Sequence, residues 1–408
     1  MKCRGCFSLV SKTFIDLGMS PIANNLLTLE QLTLPEAFFP LHARTCDNCG
    51  LVQLPEISTK EILFPQNYTY HSSYSESWLL HSQQFAANLI ERLELKSDDF
   101  VIEVASNDGY LLQYFRNAEI RVLGVEPAAE VSNIARLERN IPTIVKFFGR
   151  DVAKEVLLQY PKPRLIIANN VLAHVPDIHD FVAGFEILLD NKSIVTFEFP
   201  HLLNLIRLNQ FDTIYHEHYS YLTITALNPI FAKHGLRIFD VEKLDTHGGS
   251  LRIYVCRADS DWREEEAVRT CVLEESLFDP RSAQVSSQLQ TAAQEIRSKL
   301  SRELLQLKSD GMTVAAYGAA AKGNTLLNYL GMHSRILDYV VDRNPSKQGK
   351  FLPGSLIPIV SEEHLKAHPP DILLVLPWNL ATELTQQLAY LKNQGVKFLR
   401  AIPNVEYF

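Results

Sequence analysis

The stretch from Phe211 to Tyr221, F-D-T-I-Y-H-E-H-Y-S-Y, holds two histidines, a glutamate and three tyrosines within its last seven positions. It is the densest group of proton-transfer residues in the chain. Histidine titrates near ~6.5, so His216 and His218 can accept or give a proton at neutral pH, and a carboxylate such as Glu217 can orient and polarise one of them. Glu217 and His218 are adjacent, and on a regular strand or helix they would not face each other. Either Glu217 serves a different histidine or the segment is irregular. A metal site at His216-Glu217-His218 lacks the i, i+4 spacing that puts two histidines on one helix face. A polar surface loop is the bland alternative.

A second group is sulfur chemistry. Cys3-Arg4-Gly5-Cys6 and Cys46-Asp47-Asn48-Cys49 are two C-x-x-C knuckles separated by 39 residues. A tetrahedral zinc takes four thiolates, two from each tight turn, which leaves no open position and makes the ion structural. Disulfide or redox use of these cysteines is the competing reading. Cys256 and Cys271 stand alone and read as buried apolar residues.

A third group surrounds a turn. Val101 to Glu126 reads as strand, Ala105-Ser106-Asn107-Asp108-Gly109, helix and second strand, half of a doubly wound α/β unit. Ligands of such sheets bind at the turn, and Glu126, 17 residues beyond Gly109, sits at the second strand's tip, where a carboxylate accepts from both ribose hydroxyls. A dinucleotide would want G-x-G-x-x-G, whereas this turn has one glycine, and Asp108 would repel a phosphate. With Glu103 on the first strand, the acidic turn suits a sulfonium and an ammonium, which favours S-adenosylmethionine. A purely structural turn is the alternative.

The elements that must position these groups follow from pattern. Short apolar runs alternate with helical ones from Phe100 to Phe199, with strands expected at Thr143 to Phe147, at Leu165 to Ala168 ending in Asn169-Asn170, and at Ser193 to Phe199; Gly149-Arg150-Asp151 reads as a turn. A mostly parallel sheet covered on both faces is expected. Leu236 to Leu244 and Ser250 to Cys256 read as an antiparallel pair joined by Asp245-Thr246-His247-Gly248-Gly249, where the glycines form a hairpin or admit a ligand close to the backbone. Asp261 to Leu307 is a charged helical connector, after which α/β patterning resumes. There Gly318-Ala319-Ala320-Ala321-Lys322-Gly323-Asn324-Thr325 leads into a helix. It lacks the terminal G-K-[ST] of a triphosphate loop, but small residues, a helix start and Lys322 can hold a diphosphate; close packing of the alanines is the alternative. Between the knuckles, Leu26, Leu27, Leu29, Leu32, Leu34, Phe38 and Phe39 are expected to form a small core.

A chain of 408 residues is long for one core, so two or three domains are expected, and 46% hydrophobic with 21% charged residues describes an ordinary globular protein. A net charge of −8 argues against a nucleic-acid partner. The absence of a transmembrane-length apolar run or a signal-peptide pattern argues against a membrane partner and makes the cytoplasm the expected location.

Taken together and in order, the paired C-x-x-C, E-V-A-S-N-D-G, Y-H-E-H-Y-S-Y, H-G-G-S-L-R and Y-G-A-A-A-K-G-N-T-L-L motifs resemble the class I methyltransferases that C-methylate nucleotide-linked keto-deoxysugars. The C-3′-methyltransferases of dTDP-4-keto-6-deoxysugars match best, and the resemblance covers essentially the whole chain. It implies an α/β protein of three parts: an N-terminal four-cysteine zinc domain (1–64), a central Rossmann-like class I methyltransferase domain (65–280), and a helical connector with a smaller C-terminal sugar-nucleotide α/β domain (281–408). It implies S-adenosylmethionine and a structural zinc as cofactors, a dTDP-sugar as partner, and a monomer. The base is then His218, with Tyr215 and Glu217 beside the sugar, His174 at the C4 oxyanion, and a lid tyrosine at Tyr68 or, by preference, Tyr70. The cofactor falls to Glu103, Ala105, Asn107, Asp108, Gly109, Glu126, Asn169 and Asn170, the substrate to His247, Ser250, Lys322 and Asn324, and zinc to Cys3, Cys6, Cys46 and Cys49. The competing functions are methylation of an oxygen or nitrogen on another small molecule, and a non-catalytic zinc-ribbon regulator with a methyltransferase-like core.

Overall fold

The structure is a computed structural model that describes residues 1–57, 72–74 and 76–408. The N-terminal strands β1 (Lys12–Ser20), β2 (Phe39–Thr45) and β3 (Val52–Gln53) form an antiparallel sheet between and beyond the two cysteine knuckles. Its fourth strand comes from far along the chain: β9 (Ser220–Tyr221) pairs Tyr221 with Val52 and Ser220 with Gln53. Phe14, Ile15, Leu41 and Ala43 fill this sheet's buried face. The leucine-rich stretch expected to form the core is largely outside it. Leu27 is buried, but Leu29, Leu34 and Phe38 are exposed, because the segment runs as loop and one 3-10 turn with no sheet face to cover.

The apolar runs of the middle chain become the strands β4 (Phe100–Val104), β5 (Arg121–Val125), β6 (Thr143–Ile144), β7 (Leu165–Asn169) and β8 (Ile194–Pro200), largely buried except for the half-buried β6, with the pair β10 (Leu236–Leu244) and β11 (Ser250–Arg257) added, β11 antiparallel to β8. The sheet order is β10-β11-β8-β7-β4-β5-β6. The order reverses at β4, which has β5 on one side and β7 on the other, so the turn after β4 lies at the switch point where open sheets bind ligands. The third strand is shorter than expected. Gly149-Arg150-Asp151 is no turn: Gly149 precedes a helix, Arg150–Gln159, whose Val152, Ala153 and Val156 are buried. Gly149 and Asp151 have the composition of a turn, and the apolar spacing beyond them marks the helix instead.

The connector is two helices, Glu266–Ser276 and the 27-residue Ala283–Ser309. Beyond them β12 (Val314–Tyr317), β13 (Val340–Val341), β14 (Ile359–Val360), β15 (Ile372–Val375), β16 (Lys397–Arg400) and β17 (Glu406–Tyr407) form a second open sheet, ordered β14-β13-β12-β15-β16-β17. This too is doubly wound, with its switch point between β12 and β15. One apolar cluster joins Phe14 and Leu41 of the N-terminal sheet to Leu289, Ile296 and Leu300 of the long helix and to Val314, Ile372 and Leu399 beyond it. Another joins Cys3, Cys46 and Leu51 to the central strands. Each large aliphatic side chain so buried favours the fold by about 1.5–3 kcal/mol. The N-terminal part is therefore packed against both open sheets.

Candidate active site

The Y-H-E-H segment is irregular. It is a turn closed by a hydrogen bond from His218 N to Tyr215 O at 2.9 Å, between a 3-10 turn (Phe211–Thr213) and β9. Its side chains diverge. His216 Nε2 donates to Pro40 O of β2 at 3.3 Å, away from the other histidines. Glu217 Oε1 accepts from Asn24 Nδ2 at 3.1 Å, and its other oxygen is buried without a partner. His218 Nδ1 lies 2.8 Å from Thr213 O and its Nε2 lies 2.6 Å from Tyr215 Oη. A carbonyl can only accept, so Nδ1 carries the proton and Nε2 is left with its lone pair, accepting from the tyrosine. Burial holds His218 well below its ordinary pKa, so the imidazole is neutral and basic at that nitrogen.

His174 lies edge-on to His218, with ring centroids 4.7 Å apart, and its Nδ1 donates to Glu217 O at 2.8 Å. Burial lowers its pKa to about 4, against the pull of that hydrogen bond. A neutral His174 so pinned carries its lone pair on Nε2, so that nitrogen would donate to an oxyanion only once protonated. Glu217 moves the opposite way, up to about 6, because burial outweighs its hydrogen bonds.

The turn after β4 carries the expected cofactor residues together. Ala105, Asn107 and Gly109 have φ of 58°, 49° and 78°, and Ala105 N donates to Val125 O at 2.8 Å, which bends the chain out over the strand ends. Glu103 Oε2, Asp108 Oδ1 and Asn169 Oδ1 are buried acceptors without a hydrogen-bond partner. Burial, together with the nearby charges of Asp108 and Glu126, raises Glu103 well above the ordinary carboxylate range. A hollow of unsatisfied acceptors and crowded carboxylates fits a ligand with an ammonium and a sulfonium, so S-adenosylmethionine suits these residues. Glu126 differs from expectation in one respect. Its oxygens already accept from Asn107 N at 3.0 Å and Ala128 N at 2.9 Å, so it shapes the turn and offers a ribose only its remaining lone pairs. Burial raises it to about 7 despite those bonds. Asn170 has φ 53°, and its N–H donates to Glu198 O. Ser72 N and Ser73 Oγ donate to Asn107 Oδ1 and Asp108 Oδ2, so the chain re-enters directly over this turn. Tyr68 and Tyr70 lie outside the described residues.

The switch point of the second open sheet faces the same region. Trp378 Nε1 donates to the buried Asp212 Oδ2 at 2.8 Å, Lys322 Nζ sits 4.6 Å from the Trp378 ring centroid, and Lys322 also donates to Asn379 Oδ1. Burial raises Asp212 to about 6 and lowers Lys322 to about 8, each opposed by the other's charge. Gly248 lies against Trp378, and His247 beside it holds φ 54°, its ring 5.3 Å from that of Trp78. His247 and Lys322 are thus brought to one crevice. Asn324 is buried one turn further in, and Ser250 Oγ is spent on Thr246 O, closing its own loop. Glu198 braces that loop: it accepts from Thr246 Oγ1 at 3.0 Å, His81 Nε2 at 3.1 Å and Arg252 Nη2 at 2.7 Å. Against its burial, His81 and Arg252 bring it down to about 2.

The four N-terminal cysteines converge. Their sulfurs lie within 4.8 Å of one another, with Cys3–Cys49 at 3.5 Å and Cys6–Cys46 at 3.4 Å. A disulfide would need ~2.05 Å, whereas tetrahedral zinc with ~2.3 Å bonds spaces its sulfurs at about 3.8 Å. The disulfide reading is excluded and the zinc reading fits. A second grouping, His201, Cys271 and Glu275, is different. Glu275 already accepts from His201 Nε2, Ile224 N, Thr225 N and Thr225 Oγ1, which caps the helix Ile224–Lys233 and leaves no lone pair for a metal.

Sequence reasoning gave no role to Arg4, Asn24, Glu198, Trp378 or Asp212, although Asp212 lies in the proton-transfer stretch. Each acts on a partner more than 40 positions away, and only the carboxyl-edge placement of Glu198 and Trp378 was a usable signal.

A doubly wound sheet with an acidic turn at its switch point, a neutral histidine and a four-cysteine knuckle fits a zinc-bearing, S-adenosylmethionine-dependent methyltransferase. Three family models match in succession: a "Putative zinc binding domain" over residues 3–64, a "Methyltransferase domain" over 78–241 and a "C-methyltransferase C-terminal domain" over 245–403. C-methyltransferase NovU of Streptomyces niveus is 35% identical over 403 residues, 98% of this chain and 95% of that protein. The chain belongs to this family of C-methyltransferases and is an enzyme, not a regulator built on the same core. Solved structures also align with part of it. Magnesium protoporphyrin IX methyltransferase (ChlM) from Synechocystis PCC 6803 with bound SAM has TM-score 0.33 and 14% identity over 44% of this chain and 80% of that one. A SAM-dependent methyltransferase from Anabaena variabilis ATCC 29413 has TM-score 0.35 and 13% identity over 46% and 93%. The family assignment rests on the sequence matches alone. Among the described residues, no helix is long and apolar enough to cross a membrane.

Proposed function

We propose that the methyl acceptor is C3 of a dTDP-linked 4-keto-deoxysugar and that His218 is the base that creates the carbon nucleophile. The observation that carries this reading is the Thr213 carbonyl, which accepts the Nδ1–H of His218 and so leaves the lone pair on Nε2, where Tyr215 Oη now donates. A ketone at C4 acidifies the hydrogen on C3. His218 Nε2 takes that proton, the C–H electron pair moves into the C3–C4 enolate, and negative charge develops on the C4 oxygen. S-adenosylmethionine supplies an electrophilic methyl group. Tyr215 Oη, the present donor to Nε2, marks where the C3 hydrogen would sit. His174 and Glu217 line the same turn, and Tyr70 is assigned the role of lid. Glu103, Ala105, Asn107, Asp108, Gly109, Glu126, Asn169 and Asn170 hold the cofactor.

The diphosphate is placed at Lys322 and Asn324, with His247 and Ser250 across the crevice. The helix Ala321–Leu330 begins there without a side-chain cap, and a helix start beside a lysine suits an anion. Residues 1–64 scaffold the turn, 65–280 hold the cofactor and 281–408 hold the nucleotide. The enzyme works as a cytoplasmic monomer.

Deuterium wash-in tests the reading. The protein is incubated with a dTDP-4-keto-6-deoxysugar in D₂O, with S-adenosylhomocysteine in place of the donor, and the C3 hydrogen is followed by NMR. Exchange in the wild type that is lost in His218→Asn is expected. A bound sugar nucleotide that keeps its C3 hydrogen would refute enolisation at that carbon.

A further inference from the structure

Arg4 stands between Cys3 and Cys6, and its side chain reaches out to backbone carbonyls. Its guanidinium forks among three carbonyls from separate parts of the chain: Nη1 to Tyr219 O, Nη2 to Leu54 O at 3.0 Å and Nε to Pro176 O at 3.3 Å. The Arg4 backbone N–H donates to Gln53 Oε1 at 3.0 Å, and the Gln53 amide returns to Cys3 Sγ at 3.2 Å. The arginine is thus fixed to the knuckle at its own backbone and to the rest of the molecule at its tip. The carbonyls matter by position. Tyr219 directly follows His218, and Pro176 lies two residues past His174. The Tyr219 carbonyl also accepts from Leu54 N at 3.0 Å, and the Arg4 guanidinium lies 5.4 Å from the Tyr219 ring centroid.

We propose that Arg4 is a positioning residue for the two facing histidines, tying the turns that carry His218 and His174 to the zinc knuckle. For its effect on turnover this rests on His218 being the base. The planar fork is what the geometry requires. A lysine ammonium keeps the charge but cannot reach three diverging carbonyls in one plane. The other supports of the turn act elsewhere on it: Thr325 Oγ1 holds Ile214 O at 3.0 Å, and Asn24 holds the Glu217 carboxylate. Arg4 is the side-chain support at Tyr219 O, where the turn passes into β9 beside the Leu54 N–H and the β3–β9 pairing.

The test uses the full-length zinc-loaded protein as wild type, Arg4→Lys, Arg4→Ala and His218→Asn. ¹⁵N-histidine NMR reads the His218 imidazole, assigned by its loss in His218→Asn, beside zinc content, S-adenosylhomocysteine affinity and turnover. Arg4→Lys is expected to keep zinc and bind S-adenosylhomocysteine as the wild type does, to shift or broaden the Nδ1–H and Nε2 signals of His218, and to lower kcat by about 10²-fold, the cost of a ~1 Å misplacement. Methylguanidinium should restore part of the kcat lost in Arg4→Ala. Should Arg4→Ala fail to fold, the Arg4→Lys spectrum decides. Unchanged His218 signals with unchanged kcat would overturn the proposal. Normal turnover in His218→Asn would instead remove His218 as base, and a shifted imidazole in Arg4→Lys would still support the positioning role.

Discussion

A histidine whose Nδ1 proton is held by a carbonyl can serve as a base only at Nε2, and burial keeps His218 and His174 uncharged. Both have folded pKa values below the unfolded value, so their contribution to stability is complete above ~6.5 and is lost as the pH falls from there towards the folded value, about 4 for His174. Glu217, raised to about 6, runs the other way: its contribution is complete below ~4.5 and lost as pH rises through about 6. The acid limb of kcat is therefore expected below ~6.5; a pH–rate profile that falls off at or above that value would mean that a more exposed group is the base. The residue types of this site were readable in the sequence, since Y-H-E-H is dense in proton carriers. The pairing was not. That Glu217 would turn to Asn24, His216 to Pro40 and His218 to Thr213 depends on a turn no period describes.

At the scale of elements, the crevice depends on close approach between the loop after β10 and the turn after β15. Gly248 has φ +88°, and a Cβ there would lie 2.3 Å from Trp378 Cη2. Gly248→Ala is expected to cost about 1–3 kcal/mol in urea denaturation, from left-handed strain and overpacking. By pushing Trp378 off Asp212 it should also raise KM for the sugar nucleotide and leave S-adenosylhomocysteine affinity unaltered. A KM that does not move would separate this contact from substrate binding. Strands were the most legible elements, because β4, β5, β7 and β8 are short, largely apolar runs followed by small or polar residues. The helix Arg150–Gln159 was hidden by the glycine and aspartate at its start. The sheet of β1, β2, β3 and β9 was hidden by its make-up, since its last strand is supplied from 167 positions beyond β3 (220 − 53).

For the whole molecule, the N-terminal sheet shares its core with the second open sheet while the knuckle packs on the first. The other face of the central sheet, from Phe85 to Cys256, has a core of its own without N-terminal residues. Structural zinc in small domains binds with about 10–16 kcal/mol, as much as a whole domain's stability of about 5–15 kcal/mol. Chelation of the zinc is therefore expected to abolish turnover and to leave S-adenosylhomocysteine binding, measured by calorimetry, largely intact. Loss of both together would show that the knuckle supports the entire fold. The four thiols were evident from their spacing, whereas their neighbour Arg4 was not, because its partners Leu54, Pro176 and Tyr219 are scattered along the chain. That scatter has a consequence for synthesis on the ribosome. The segment from Cys3 to Cys49 emerges long before Tyr219 is translated, so the metal can be captured while the turn that carries His218 does not yet exist. The turn is then received by a knuckle already closed on its metal, and a nascent chain starved of zinc would go on to make that turn without the closed knuckle to seat it.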